Sequence, residues 1–335
     1  MIFLVIVAAL VLSFYINLRG DLKKDSPYPS ISLCQVFNNE KLIATSAALY
    51  GDTKINDHIT ETAFFTGSCY TCEQCETELK CPNLTEIVSK FRVQCNDLVQ
   101  KCSWNDEEFQ CCKGFLPLET ESGICYTINS ALVHPRSGDK SPSYKHKFGK
   151  LKINVLVDIQ LFIHHPKDVP FTYHRRDLRD TIVVVLYCVI LIKRDLIIQC
   201  PFQGSIKETS VKVIKNNQTS KACRSSWNPG YIAVYDVYSR STCQVNCYHV
   251  AQVNACNCTH HLMPRNAKLS VPVCDLKGLR CLSDNLVKIS DQRKLCEECM
   301  SPCEEYDYKI ISNSLKSDAE KGNSDILIDI LFDIE

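Results

Sequence analysis

The sequence predicts an α+β fold: a disulfide-rich extracellular domain of sheets and helices, tethered by one N-terminal transmembrane helix. Three observations carry this reading. There are 22 cysteines in 335 residues, segments of period-two and helical apolar spacing occur in one chain, and the chain starts with an uncharged apolar run. In a reducing compartment so many cysteines would need several metal or redox centres. In an oxidising one they need only disulfides, each stabilising by about 2–4 kcal/mol. The sequons Asn83-Leu-Thr85 and Asn217-Gln-Thr219 agree, and make Asn83 and Asn217 glycan acceptors. A third, Asn257-Cys-Thr259, lies inside a cysteine cluster and is read as unused. The 38 basic and 38 acidic residues balance, so no nucleic-acid partner and no polybasic membrane patch is expected.

Met1 to Leu18 carries no charged side chain, and twelve of its residues are Leu, Ile, Val or Phe. Such a run gains roughly 4–7 kcal/mol in a bilayer, and its length is at the lower limit for a span. A cleaved signal peptide needs a positive n-region and a small-x-small site after the apolar core. Neither is present, which favours an uncleaved anchor. Arg19, Lys23 and Lys24 follow the run, a charge order that by itself would place the downstream side in the cytoplasm. The cysteines and sequons outweigh it, and a cytoplasmic segment upstream would reconcile the two.

Pro27-Tyr-Pro-Ser-Ile-Ser-Leu-Cys34 reads as extended, with Ile31 and Leu33 alternating against Ser30 and Ser32 as in a half-buried strand. Residues 40–101 read as helical and polar, with an amphipathic helix over Thr85–Val99. Cys69-x-x-Cys72-x-x-Cys75, with Cys81 following, has the spacing of a zinc site, but in an oxidising compartment disulfides are favoured. Cys95 to Ser130 is the densest stretch: Cys102-Ser-Trp104, Cys111-Cys112-x-x-Phe115, the polar turn Glu119–Gly123, and Cys125-Tyr-Thr-Ile-Asn-Ser130. Gly123 is free to take positive φ there, and an extended run follows it.

Leu151 to Ile163 places seven apolar side chains at period two, which predicts one long strand ending at His164-His165-Pro166. Adjacent histidines on a strand point to opposite faces, so a shared metal is not expected. Thr181–Ile192 is too short for a membrane span and reads as a buried strand, and His174–Arg179 reads as a solvated edge. Cys243-x-x-x-Cys247 puts both sulfurs on one helical face. Tyr306–Ile311 is an alternating strand, and Ser324–Glu335 reads as a turn of helix or a last strand.

These motifs, in this order and spacing, resemble the degenerin/epithelial sodium channel family in its insect pickpocket-like branch, over roughly residues 1–311 with a poor match at 172–220. The resemblance implies a helical finger at about 40–120, strands of a central antiparallel palm sheet and a β-ball at about 123–230 and 304–335, and a helical thumb at about 232–305. It also implies disulfides Cys34–Cys125, Cys223–Cys303, Cys243–Cys299, Cys247–Cys296, Cys256–Cys281 and Cys258–Cys274, with Cys102 joined to Cys111 or Cys112. The pairing of Cys69, Cys72, Cys75, Cys81, Cys95, Cys112, Cys188 and Cys200 stays open.

By the same resemblance, the chain is a subunit, or part of one, of an amiloride-sensitive sodium channel at the plasma membrane. Its gating is by ligand or mechanical force, its partners are other subunits in a homo- or heterotrimer, and it needs no cofactor. The family's second, pore-lining span is not recognised in the sequence, so the expectation is that this chain does not conduct alone. The alternative is a secreted or anchored cysteine-rich domain that binds or modulates other subunits. No nucleophile elbow, P-loop, H-E-x-x-H or dinucleotide fingerprint is present, so no enzyme is expected.

Overall fold

The structure is a computed structural model. It describes residues 29–333 except 38, 52–54, 78–80, 134–148, 158, 171–189, 193–196, 207–223, 225–233, 267–268, 295, 297–298, 301, 303–305, 311–313 and 317–325. The apolar run 1–18, Asn217, Cys188, Cys223, Cys303 and the 174–179 cluster lie outside the described residues. Among the described residues no helix is long and apolar enough to cross a membrane.

In chain order the elements are β1 (Ser30–Gln35), α1 (Asn39–Tyr50), α2 (Asn56–Ala63), α3 (Cys72–Thr77), α4 (Leu84–Phe91), α5 (Cys95–Leu98), β2 (Val99–Trp104), β3 (Glu107–Phe109) and α6 (Cys111–Gly114). There follow β4 (Leu116–Thr120), β5 (Gly123–Ile128), β6 (Gly149–Val155), β7 (Ile159–His164), β8 (Ile190–Ile192) and β9 (Ile197–Ile206). The helices α7 (Arg240–Cys256), α8 (Leu276–Asp284) and α9 (Leu286–Lys294) and the strands β10 (Tyr306–Ile310), β11 (Ser314–Lys316) and β12 (Ile326–Asp333) complete the fold.

The strands form two sheets. One runs β4-β5-β1-β7-β8; the other runs β10-β9-β12-β6-β2-β3, with β11 on β9. All pairings are antiparallel except β12 with β9, which run parallel. Apolar side chains of β1, β5 and β7 from the first sheet and β2 and β6 from the second share one core, with Phe115 fully buried in it.

The seven-residue apolar alternation at 151–163 is therefore not one strand. The chain bends at Leu156 and Val157, where Leu156 N–H bonds Leu98 O (2.9 Å), and passes from one sheet to the other. Leu151, Ile153 and Val155 before the bend and Ile159, Leu161 and Ile163 after it are all fully buried in the same cluster. Parity survives because a strand that turns the corner of a two-sheet core keeps the same face inward.

The predicted helix over 85–99 also breaks. α4 ends at Phe91, and Arg92 is extended. The Gln35 amide of β1 donates to Phe91 O (3.3 Å) and accepts from Val93 N–H (2.9 Å). It thus satisfies backbone groups that a continuing helix would have paired internally, and Val93 turns into the sheet core.

β1 differs from its expectation as well. As the middle strand of its sheet it is buried on both faces, Ser30 and Ser32 included. Those hydroxyls meet Thr127 Oγ1 at 3.0 and 2.9 Å, and Ser32 Oγ lies 2.8 Å from His164 Nε2. Of the predicted strand 181–192 only β8 is described, and the 324–335 tail contains the strand β12.

Candidate functional site

The described residues concentrate covalent cross-linking at the joints between elements. At the first joint, Cys34 of β1 and Cys125 of β5 face each other in register and are bonded, with Phe162 against them. Next to it, Cys102 bonds Cys111 and Cys95 bonds Cys112, so the adjacent cysteines of α6 diverge to β2 and α5. Cys69 bonds Cys72 and Cys75 bonds Cys81, pairings that the sequence left open. His58 lies close enough to Cys75 and Cys81 to share an ion with them, as Cys243, Cys247 and Cys299 do among themselves, but these sulfurs are all held in disulfides.

The helical joint is the longest. α7 begins with a capping box: Ser239 Oγ accepts from Thr242 N–H (3.2 Å), and Thr242 Oγ1 accepts from Ser239 N–H (2.7 Å). One turn apart on α7, Cys243 and Cys247 bond Cys299 and Cys296, with Cα separations of 5.5 and 6.4 Å. Asn257 ends the helix in the left-handed conformation (φ 56°), which lets Cys256 and Cys258 reach two partners, Cys281 and Cys274. Gly278 of α8 has no alternative: a Cβ there would sit 2.8 Å from Cys258 Sγ and 2.7 Å from Cys274 Cβ. Cys223 and Cys303 are not described, but their neighbours Arg224 and Pro302 form a bridge.

Polar contacts tie this lattice to the sheets and to α2. Ser241 Oγ donates to Asp168 Oδ1 (2.8 Å) and accepts from Val169 N–H (3.0 Å). Tyr235 OH donates to Glu119 O (2.7 Å), and Glu119 Oε2 accepts from Arg265 N–H (2.8 Å), so the β4–β5 hairpin is gripped from the helical side. Burial, with Glu121 and Glu119 nearby, holds the Tyr235 phenol well above its ordinary range.

At the seam with α2, His261 Nε2–H donates to Thr62 O (2.8 Å), and His260 packs on Phe65 with ring centroids 5.1 Å apart. Burial and then the nearby His261 push His58 down to about 4, and burial pushes His260 down to about 3. These histidines are neutral at physiological pH. Sequence reasoning missed the seam because no spacing links His58 to His261. In the sheet core, burial likewise lowers His164 to about 4. Its Nδ1–H faces His165 O (2.9 Å), which leaves Nε2 as the acceptor toward Ser32.

Asn83 is exposed and caps α4, its Oδ1 accepting from Glu86 N–H (2.8 Å). At Asn257, by contrast, the sequon threonine Thr259 is buried.

Compared with known proteins, residues 13–329 match the family described as amiloride-sensitive sodium channel. The chain belongs to that family. Among its relatives, pickpocket protein 19 of Drosophila melanogaster is 22% identical over 275 residues, covering 73% of this chain and 52% of its own. Acid-sensing ion channel 4-B of Danio rerio is 22% identical over 288 residues, covering 85% and 48%. The sodium channel protein Nach of Drosophila ananassae is 21% identical over 260 residues, covering 70% and 46%. The chain thus spans about half the length of the curated relatives it matches.

Proposed function

We propose that the described residues form the extracellular part of a sodium channel subunit, anchored by the apolar run 1–18 at the plasma membrane and assembled as a trimer with its own or related subunits. The observation that carries this is the family match over residues 13–329, which takes in the end of the apolar run and nearly all of the cross-linked domain. In this reading amiloride-sensitive sodium conduction belongs to the assembled channel, and this domain receives the gating stimulus. The helices and small strands over about 40–120 are the finger, the sheets over about 123–230 and 304–335 the palm and its neighbouring β-layer, and residues 232–305 the thumb. Cys34–Cys125 then staples the strand beside the membrane to the β4–β5 hairpin, and the thumb's grip on Glu119 offers a route for movement to reach that staple. The bridge Arg224–Pro302 supports a further rung, Cys223–Cys303, at the base of the thumb.

The test is co-expression of the chain with a pore-forming pickpocket subunit in oocytes. Co-purification of surface-labelled, glycosylated chain with that subunit, together with altered amiloride-sensitive sodium current, is the expected result. A chain that is secreted with its N-terminus near residues 19–25, and that leaves the current unchanged, would overturn the anchored-subunit reading.

A further inference from the structure

Arg92 is the residue at which the predicted helix breaks, and its side chain reaches a cavity of about 180 Å³. Its guanidinium carries five N–H donors. One bond is made, from Nη2 to Ser122 O (2.7 Å) at the tip of the β4–β5 hairpin, and the plane stacks 4.8 Å from the Phe64 ring. Among the described residues no carboxylate pairs with it. Gly123 makes room for it: a Cβ there would meet Nη2 at 2.8 Å, and φ is +100°. Burial lowers Arg92 to about 10, so it remains cationic at neutral pH. Among the described residues this half-buried guanidinium has one carbonyl and one aromatic ring as partners, and an anion in the cavity would complete its hydrogen bonding.

The rest of the cavity is mainly apolar. Phe37, Phe64, Phe65 and Phe162 line it, with Gln160 and Thr66 adding polar atoms. Phe37 is 41% exposed and stands edge-on to Phe64, ring centroids 5.4 Å apart, so it can admit or cover an occupant. A cavity of about 150 Å³ with apolar walls accommodates a benzene ring, and this one is slightly larger. A guanidinium in a fork geometry suits a planar carboxylate, bound through two parallel N–H···O bonds.

We propose that the cavity at the junction of β1, the end of α2 and the β4–β5 hairpin binds a small organic monocarboxylate, its carboxylate on Arg92 and its apolar body between Phe37, Phe64 and Phe162. The site is argued from this domain alone and does not depend on the channel reading. Because three separate elements close around it, occupancy braces them together.

Benzoate is the probe, with benzamide as its neutral isostere, titrated into the purified full chain by calorimetry at physiological salt. Benzoate should saturate at one per chain, bind at least tenfold more tightly than benzamide, and protect residues 34–37 and 120–125 from hydrogen exchange. Phe37→Ala, at a half-exposed position, should weaken benzoate about threefold without unfolding the chain. Arg92→Gln should erase the difference between the two probes, and if that variant does not fold, the wild-type ratio and Phe37→Ala still decide. Equal affinity for benzoate and benzamide, an unchanged affinity in Phe37→Ala, or inorganic phosphate binding more tightly than benzoate would each overturn the proposal.

Discussion

Between the two sheets, sixteen buried residues make one cluster, and only two of them, Cys102 and Cys111, are cysteines. Around α7, α8 and α9 the corresponding cluster has ten buried residues, and four of those are cysteines: Cys69, Cys72, Cys258 and Cys274. The sheet region can be held by apolar burial, since two facing layers exclude water over a wide area. Short helices lying side by side cannot enclose as much, and the chain supplies covalent bonds where burial falls short. Four disulfides among the described residues lace the α7–α9 region, whereas three, Cys34–Cys125, Cys102–Cys111 and Cys95–Cys112, touch the larger sheet core.

The comparison breaks most readily at Phe115, which is fully buried in the sheet core. Phe115→Ala should cost about 3–5 kcal/mol by denaturant titration, with exchange protection lost in β6 and β7 and retained in α7. If α7 loosens equally, the two regions are not independent. Second, removing Cys256–Cys281 by paired serine substitution opens a loop of sequence separation 25, at a cost of about 3 kcal/mol. Here the loss should appear in α7 and α8 while β6 and β7 keep their protection.

Acid supplies the third test. His58 and His164 have their pKa depressed to about 4 by burial, against an ordinary value near 6.5. In the unfolded chain they take up protons first, so stability is complete above pH 6.5 and is lost as pH falls toward 4. Between pH 6.5 and 5 each such group costs about 2 kcal/mol. The helical seam carries His58, His260, His261 and His249, all lowered by burial, so it should lose exchange protection before the sheets do. His58→Gln should flatten that loss by about the same amount. An acid response confined to the sheet core would refute the placement of the sensitivity.

The smallest effect separates capping from glycosylation at Asn83. Asn83→Ala should remove both the glycan and about 1 kcal/mol of stability. Asn83→Asp should remove the glycan, read as a mass shift, but keep the cap to Glu86 N–H and therefore the stability.

How much was legible in the chain differs between the same two regions. The i, i+4 cysteines of α7, the polar turn before Gly123 and the inward faces of β6 and β7 follow from local spacing, and Gly123 does turn the hairpin at φ +100°. The breaks were not legible. Nothing near Phe91 announces a helix end, because the group that ends it is Gln35, distant in sequence. The same holds for Ser30 and Ser32, whose burial depends on Thr127 and His164 across the sheet. Arg92 falls within the span expected as an amphipathic helix, and the hairpin folding over it places it at a cavity.

The sequence by itself determined the oxidised, cross-linked character of this protein, the type of most of its elements, and its family. These are encoded in residue types and short-range periodicity, which the backbone reads within a few residues. The tertiary structure alone decided where the long alternating run divides between two sheets, how Cys69, Cys72, Cys75, Cys81, Cys95 and Cys112 pair, where α4 stops and which cation lines a cavity. Each of those depends on groups tens of residues apart meeting in one place, and a pattern of spacing carries no record of such meetings.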